Sequence, residues 1–296
     1  MNGRERGFLL LSSRLGDESR KILSVPQLRK LAQRVSGSNK ADMDRDLVPD
    51  DLIALGYSRQ EANRIWTLFS QEQQLDWYLQ KGRQAGCVPI TRVSDGYPAV
   101  LRARMGLDSP GCLWAKGDLS ILQTRMISLV GSRDLRSENR AFAYEVGKQA
   151  ALQGVSLVSG NARGADTVAQ EACLEYGGSV VSVVADRLDR HPQHTRILYL
   201  SEDSFEQPFS AQRALSRNHV IHCLSDAVLV AQCTYGKGGT WNGTLQNLKN
   251  TWAPVFCFND ESRSFCELTQ RGANSITVDQ LKDLLSLKAE PNLFDQ

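Results

Sequence analysis

The stretches ISLVGSR at residues 127–133 and VSLVSGNARGAD at residues 155–166 decide the fold of this 296-residue chain. Each begins as a short apolar run typical of a buried strand, ends in small residues with an arginine, and is followed by a helical pattern. In an open α/β sheet, small residues at such a turn let backbone N–H groups approach an oxygen atom. The next helix points its positive end at the same place. The two turns, with Arg133 and Arg163, predict a site for a phosphate-rich ligand.

Composition and length narrow the class of protein. The 296 residues are enough for about two domains, and a hydrophobic content of 41% supports a real core rather than disorder. No apolar run reaches the ~20 residues that a membrane span needs, and the charged start of the chain does not resemble a signal peptide. The seven cysteines form no CxxC pair, so neither disulfides nor a thiolate zinc site is indicated. We therefore expect a cytoplasmic protein with no membrane association.

The charge of the chain is unevenly distributed. Residues 1–124 hold 18 Lys+Arg against 14 Asp+Glu, whereas residues 125–280 hold 15 against 16. The part that carries the phosphate-like turns is therefore close to neutral in bulk. If it binds nucleic acid, its cations must be concentrated in one place.

Four regions follow from the patterns along the chain. Residues 1–80 predict a small helical domain of about five helices (of the SAM or helix-hairpin kind), and residues 81–125 are a connecting segment rich in turn signals. Residues 126–280 alternate apolar strands with helices, which predicts a Rossmann-like, doubly wound α/β domain with a mainly parallel sheet. Residues 281–296 form a tail whose Leu293-Phe294 pair is expected to pack on the protein itself. The strands are expected at 127–130, 155–158, 179–184, 226–231, 254–258 and 275–278.

A helical pattern at residues 213–221 adds cations. Arg213 and Arg217 lie four residues apart and so share a helix face, with Asn218 next to them. Such a face could follow a phosphate backbone. The alternative is ion pairing with the acidic residues Glu202, Asp203 or Glu206.

A glycine-rich loop, YGKGGTWNGT at residues 235–244, follows another predicted strand and precedes a helix. Glycines, a lysine and hydroxyl groups at a helix start favour phosphate. The candidate phosphate-binding residues all stand at strand ends or on the helices that follow them: Gly131, Ser132, Arg133, Ser159, Gly160, Arg163, Gly164, Arg213, Arg217, Asn218, Lys237, Gly239 and Thr240.

Catalytic motifs are not found in the sequence. The glycine loop lacks the GxxxxGK[ST] spacing of a nucleotide hydrolase, and no serine lies in a GxSxG turn. The histidines form two pairs, at 191 and 194 and at 219 and 222, without a carboxylate at ligand-like spacing. Asp166 is interpreted as a helix cap rather than a catalytic group; at the start of a helix its carboxylate suits the dipole and can hold Arg163 or a backbone N–H. We therefore expect a protein without enzymatic activity, cofactor or metal.

The ordered series of motifs resembles the DNA-processing protein A family (DprA, also called Smf). It comprises VGSR at 130–133, SGNARGAD at 159–166, RNHVIHCLSD at 217–226 and KGGT at 237–240. The lead-in segments DGYPAVL at 95–101 and PGCLWAKG at 110–117 are similar to that family as well. The resemblance covers about residues 90–278, and the order of the motifs is more specific than any one of them.

The resemblance implies a function. Members of this family bind single-stranded DNA without catalysis, as dimers of extended Rossmann domains, and help to load the RecA recombinase during natural transformation. It further implies that Gly131, Ser132 and Arg133 hold one phosphate and that Ser159, Gly160 and Arg163 hold another. Arg217, Asn218 and Lys237 would line the same groove.

This chain also departs from the family pattern. His219 stands where the family usually has a second arginine, and the glycine loop continues as GGTWNGT rather than in the usual way. Two alternatives stay open: a nucleotide-binding sensor of the LOG-like Rossmann group, for example in phage defence, and an interaction module whose arginines form structural ion pairs. We expect single-stranded DNA, a RecA-type recombinase and a second copy of the chain as partners.

Overall fold

A nine-stranded sheet organises the protein. The computed structural model describes residues 1–38, 47–202 and 204–287. The strands are β1 (Val88–Thr91), β2 (Cys112–Lys116), β3 (Met126–Val130), β4 (Ser156–Ser159), β5 (Val180–Val183), β6 (Ile197–Glu202), β7 (Ala227–Val230), β8 (Val255–Phe258) and β9 (Asn274–Ile276). Their spatial order is β1-β2-β6-β5-β4-β3-β7-β8-β9. Neighbours from β6 to β9 pair in parallel, while β1-β2 and β2-β6 are antiparallel. The predicted Rossmann-like, mainly parallel sheet is therefore confirmed.

Helices flank the sheet and precede it. The α-helices are α1 (Gly3–Ser12), α2 (Val25–Ser36), α3 (Pro49–Ala54), α4 (Arg59–Phe69), α5 (Glu72–Gln84), α6 (Ala99–Met105), α7 (Ser137–Leu152), α8 (Ala165–Glu175), α9 (Ala211–Leu224), α10 (Gly238–Asn250) and α11 (Arg263–Gln270). None of these described helices is long and apolar enough to cross a bilayer.

Both faces of the sheet are covered. Helices α7 and α8 cover one face, where Phe142 and Ala169 are fully buried, and α9 and α10 cover the other, where Val220 and Trp241 are buried. Full burial of a large apolar side chain contributes roughly 1.5–3 kcal/mol. The strands are consequently apolar on both faces, which explains why they read as continuous hydrophobic runs.

The strand order places a crevice at the centre of the sheet. From β3 the chain winds outward through β4, β5 and β6, and it then returns to β7 on the other side of β3. In doubly wound sheets, ligands bind beyond the carboxyl ends of the strands at this point of reversal. The turns after β3 and β7 stand side by side there.

Of the N-terminal helices, α1 and α5 contact the edge of the sheet at β1, whereas α2, α3 and α4 pack around a separate apolar cluster. Tyr78 of α5 contacts Trp114 of β2 edge-on, with ring centroids 5.5 Å apart, and Phe205 at 5.0 Å. The Tyr78 hydroxyl also makes a buried hydrogen bond of 2.7 Å with Ser204 Oγ. Ser58 and Glu61 form a capping box at the start of α4.

Three strands of the sheet are absent from the sequence prediction. β1 and β2 lie in the segment that was expected only to connect the domains, and β6 follows the turn at Pro192. Length does not explain the omission, since β2 and β6 have five and six residues. The turn signals that flank β1 and β2 conceal them. The polar stretch 36–46, which predicts a loop, extends outside the described residues, and the Leu293-Phe294 pair lies outside them.

Candidate phosphate-binding groove

A cavity of about 560 Å³ opens at the crevice between β3 and β7. Its walls come from the turns after these two strands, the start of α8, one face of α9 and the start of α10. We call it the first cavity. The predicted site residues that line it are Gly131, Ser132, Arg133, Arg217, Asn218, Lys237, Gly239 and Thr240.

A second cavity of about 450 Å³ adjoins the first. It is lined by Gly160 and Arg163 of the turn after β4 and by Asp186, which follows β5. The two cavities share four wall residues: Arg133, Ala162, Phe209 and Arg217. Together they form one groove across the carboxyl ends of β7, β3, β4 and β5.

Arg217 lies at the centre of this groove. Its side chain is largely buried and its Nη1 is 4.0 Å from Asp166 Oδ2, which is buried as well. The same carboxylate oxygen accepts hydrogen bonds of 3.1 Å from the N–H groups of Gly160 and Ala162. Asp166 therefore organises the turn after β4 and holds Arg217. The sequence interpretation expected a helix cap that holds Arg163 or a backbone N–H; the backbone contact is present, but the arginine is Arg217.

The electrostatics of this pair favour an added anion. Burial lowers the pKa of Arg217, and Asp166 opposes that effect. Burial likewise raises the pKa of Asp166, against the influence of Arg217 and the two N–H groups. Arg217 Nε has no hydrogen-bond partner among the described residues. A buried guanidinium with one carboxylate at 4.0 Å is under-compensated, and a phosphate oxygen would complete its hydrogen bonds.

Exposed cations stand at the rim. Arg133 and Lys237 are exposed and face the first cavity from opposite walls. Arg163 forms a 2.7 Å ion pair with Asp134, but their side chains are 75% and 89% exposed. Such a pair contributes little to stability, so Arg163 can readily exchange Asp134 for a phosphate.

The backbone of the groove depends on close approach between turns. A side chain at Gly131 would overlap Ala165, and one at Gly164, with φ +93°, would overlap the carbonyl groups of the turn after β3. Thr240 Oγ1 donates to the Gly131 carbonyl at 3.0 Å. The side chain of Lys237, the N-cap residue of α10, makes no capping hydrogen bond, so the first N–H groups of this helix are available to a ligand at the cavity wall.

Some predicted site residues serve the scaffold instead. Ser159 is fully buried beneath the turn and accepts a hydrogen bond from Gln170. Ser132 lines the first cavity, but its hydroxyl donates to the Gln232 carbonyl at 3.2 Å. Like Ser159, Gly164 and Arg213 lie outside both cavities.

The structure does not bring Arg213 to the phosphate groove. Its guanidinium donates to the carbonyls of Ala185 and Gln207 and to Ser201 Oγ, at 2.7–2.9 Å. The helix spacing correctly predicts a shared face with Arg217, but it does not show that nearby carbonyl groups already engage Arg213. Of the alternative acidic partners, Glu202 contributes a backbone carbonyl, and Asp203 lies outside the described residues.

Phe209 and His222 are among the residues of the first cavity that the sequence interpretation missed. Phe209 is 58% exposed and lies where the two cavities meet. A large aromatic residue just before the predicted cationic helix was its signal in the sequence. His222 lies on the cavity wall, fully buried; it had been considered only as one of a metal-binding pair.

The histidines of the chain have different partners in the structure. His191 Nε2 lies 2.9 Å from Asp186 Oδ1, and His194 Nδ1 accepts from the Arg196 N–H. His219 packs beside Trp252. Across residues 1–38, 47–202 and 204–287, no group of three or more potential metal ligands occurs.

The fold and the groove define the class of this protein: a Rossmann-like domain with an anion-binding groove at its topological switch point. The chain belongs to the DNA recombination-mediator protein A family, whose model matches residues 89–287. This result confirms the resemblance seen in the motifs.

Known relatives agree with that assignment. Protein Smf of Escherichia coli (strain K12) is 31% identical over 180 residues, which are 57% of this chain and 46% of that protein. DNA processing protein DprA of Streptococcus pneumoniae (strain ATCC BAA-255 / R6) is 29% identical over 187 residues, 58% of this chain and 66% of that protein. The matches thus span between about half and two thirds of these relatives.

Solved structures show the same fold. The X-ray structure of DprA from Streptococcus pneumoniae aligns with a TM-score of 0.74 and 22% identity, over 98% of this chain and 100% of that chain. A structure of DNA processing protein A from Helicobacter pylori, which concerns that protein's single-stranded DNA binding mode, aligns with a TM-score of 0.57 and 22% identity. It covers 67% of this chain and 95% of that one.

Proposed function

We propose that the groove binds the phosphate backbone of single-stranded DNA and that the protein acts in DNA recombination. The continuity of the groove carries this proposal. It crosses the ends of four adjacent strands, β7, β3, β4 and β5, a distance of about 14 Å at the usual strand spacing. Arg133 and Arg217 belong to both cavities, so the positively charged wall is longer than one bound phosphate group would need.

The chemistry of the walls suits a single strand. The arginines and Lys237 offer charge to phosphates without reading sequence, and Phe209 offers an exposed ring on which a base can stack. These features predict sequence-tolerant binding that weakens with salt. The single-stranded DNA binding described for the Helicobacter pylori relative supports the same ligand.

The proposed role is binding rather than catalysis. Asp166, the buried carboxylate beside the groove, is engaged by two backbone N–H groups and Arg217. It is thus a structural acceptor, not a base poised toward a substrate. Loading of a RecA-type recombinase, action as a homodimer and a role in DNA uptake belong to the same proposal and are supported by family membership.

The decisive experiment is fluorescence anisotropy with a labelled single strand of about 16 nucleotides, the matching duplex, and a nucleoside monophosphate. We expect tight binding to the single strand that weakens steeply between about 50 and 200 mM salt. Micromolar binding of the mononucleotide without any binding of the strand would instead establish a nucleotide sensor and reject the proposal.

A further inference from the structure

A loop beside the first cavity carries a tyrosine on which an arginine stacks. Residues 234–237 form a tight turn, in which the Lys237 N–H donates to the Thr234 carbonyl at 3.1 Å. Thr234 and Lys237 line the first cavity, and Tyr235 lies at the tip of the turn between them. The guanidinium of Arg263 lies over the Tyr235 ring, with Cζ 3.9 Å from the ring centroid. The Tyr235–Arg263 pair therefore adjoins the cavity from outside.

The strand order places this pair at the same edge of the sheet as the groove. Tyr235 follows β7, and Arg263 is the first residue of α11, which follows β8. β7 and β8 pair in parallel, so their carboxyl ends are neighbours, about 4.8 Å apart. The pair extends the line of strand ends that form the groove by one strand. A single strand that continues past Lys237 on this side meets Tyr235 and Arg263 next.

The stacking geometry leaves one face of the guanidinium open. At a Cζ distance of 3.9 Å, an edge-on guanidinium would push a nitrogen atom into the ring, so the two planes lie close to parallel. Tyr235 covers one face of the Arg263 guanidinium, while Arg263 itself is an exposed residue. Guanidinium planes are among the groups on which unpaired bases stack. The open face of Arg263 therefore has the shape and chemistry to receive a base.

The charge of Arg263 is not compensated by the acidic residues nearest to it in sequence. Asp260 pairs with Arg136, and Glu267 pairs with Arg271 at 3.4 Å. Within residues 1–38, 47–202 and 204–287, no carboxylate forms an ion pair with Arg263. Its positive charge therefore remains available to a strand that leaves the groove.

The Tyr235–Arg263 pair is anchored in the protein core. The Tyr235 ring packs edge-on against Trp241, with centroids 5.1 Å apart, and Trp241 is buried in the apolar cluster beneath α9 and α10. The start of α11 is fixed by Ser262, whose hydroxyl accepts from the Phe265 N–H at 3.2 Å. Both members of the pair are thus held in place before a ligand arrives, which lowers the entropic cost of stacking.

We propose that the open face of the Arg263 guanidinium stacks on a base of the bound strand, outside the first cavity and next to Lys237. This inference rests on the proposed function. Bases in a duplex are covered by their neighbours, whereas an unpaired base presents a free face to the protein. The Tyr235–Arg263 pair therefore contributes to a preference for single strands without reading their sequence, and it lengthens the binding site beyond the two cavities.

The first test uses Arg263→Lys, which keeps the charge but loses the planar face. Fluorescence anisotropy gives its affinity for a thymidine strand of about 16 nucleotides and for a fully abasic strand with the same number of phosphates. We expect the substitution to weaken binding of the thymidine strand by about tenfold. The affinity for the abasic strand and the salt slope should stay at the parent values.

Matched variants separate stacking from general effects of substitution. Arg271→Lys is the control, because Arg271 lies at the other end of α11 and pairs with Glu267; neither affinity should change. Tyr235→Leu removes the ring that supports the guanidinium and should weaken binding of the thymidine strand. Tyr235→Phe keeps that ring and should bind like the parent.

A second measurement uses the unaltered protein and does not depend on how a variant folds. The Nε–H resonance of Arg263 is followed by ¹⁵N–¹H NMR and assigned by its loss in Arg263→Lys. Because a base stacked on the guanidinium exerts a ring current, this resonance should move upfield when a deoxyadenosine strand is added. The abasic strand and inorganic phosphate should not produce the upfield shift.

Three results would overturn the inference: parent affinity of Arg263→Lys for the thymidine strand, an equal loss on the thymidine and abasic strands, or no upfield shift at saturation. If the parent protein binds the strand in a salt-dependent way in these cases, the proposed function stands and only the stacking contact is rejected. If the parent does not bind the strand at all, both are rejected.

Discussion

The guanidinium of Arg217 lies directly against the backbone of Gly160, in space that any side chain at position 160 would occupy. This contact joins α9 to the turn after β4. Asp166 reinforces it, because the same carboxylate accepts from the Gly160 N–H and faces Arg217. The buried cation is thereby held between the two cavities, where it belongs to the wall of both.

Gly160→Ala should displace this guanidinium and weaken binding of single-stranded DNA. A charge-assisted hydrogen bond is worth about 2 kcal/mol, and we expect an affinity loss of that order in anisotropy titrations. Gly96→Ala is the control, because a Cβ there meets nothing within 4 Å and the backbone does not require glycine. Equal affinities of the two variants would show that binding of single-stranded DNA does not depend on the present position of the Arg217 guanidinium.

Asp166→Asn should destabilise the fold. The substitution removes the carboxylate that pairs with the buried Arg217 guanidinium and leaves only the weaker influence of Asp186 and Glu202. Breaking a buried pair on one side costs about 3–5 kcal/mol. Urea unfolding measures the change in free energy. Asp134→Asn removes a carboxylate from the exposed pair with Arg163 and should change stability by less than about 1 kcal/mol. A similar small change for Asp166→Asn would contradict a buried ion pair.

Arg133→Ala and Lys237→Ala should each flatten the dependence of log affinity on log salt concentration by about one unit. Both cations are exposed at the groove rim, so neither substitution should alter folding. Lys249→Ala is the matched control, since Lys249 lies at the other end of α10, about 18 Å from Lys237. If all three variants keep the parent slope, the strand follows a different surface.

The sequence was sufficient to predict the central strands of the sheet and the position of the groove. The apolar runs ending at Val130 and Ser159 predict adjacent parallel strands, and the turns after such strands necessarily share one edge of the sheet. Local pattern alone therefore predicts that the turns with Arg133 and Arg163 lie close together. The same reasoning places the loop with Lys237 at that edge.

The remaining features depend on contacts that the sequence does not contain. Helix spacing places Arg213 and Arg217 on one face, but only the packed structure shows that backbone carbonyls engage Arg213. The hydrogen bond of His222 Nδ1 likewise depends on Asn247, which a different helix brings beside it. Edge strand β1 pairs with β2 in a short antiparallel ladder, and such pairing follows from tertiary packing more than from local propensity.

The free energy of unfolding should decrease at acid pH because of His222. Burial lowers the pKa of its imidazole to about 3 in the folded state, against about 6.5 when unfolded. As the pH falls below about 6, the unfolded chain takes up the proton first, so the free energy of unfolding decreases by about 1.4 kcal/mol per pH unit. Below pH about 3 both states are protonated and this contribution levels off.

His222→Phe removes this titration and serves as the comparison. Urea unfolding at several pH values between about 4 and 6 should show a slope that is shallower in the variant by about one proton. The difference between the two proteins isolates His222 from the carboxylates that titrate in the same range. Parallel curves would mean that the imidazole is accessible to solvent and protonates in the folded protein.

Phe209→Ala should weaken binding of single-stranded DNA without changing its salt dependence. The ring is 58% exposed at the junction of the two cavities, so its removal should change stability little. Stacking of a base on an aromatic ring is worth about 1–3 kcal/mol by alanine substitution, and we expect an affinity loss in that range. The number of neutralised phosphates stays the same, so the salt slope should be unchanged.

Phe209→Trp tests whether the ring acts by stacking. A larger aromatic face should keep or increase the affinity, whereas a purely steric role for Phe209 would make this variant weaker than the parent. Leu152→Ala is a control, because Leu152 is equally exposed, at 58%, but lies at the end of α7 and outside the groove. A loss for Phe209→Ala that Leu152→Ala does not share, together with full affinity in Phe209→Trp, would place a base on this ring between the two phosphate-binding cavities.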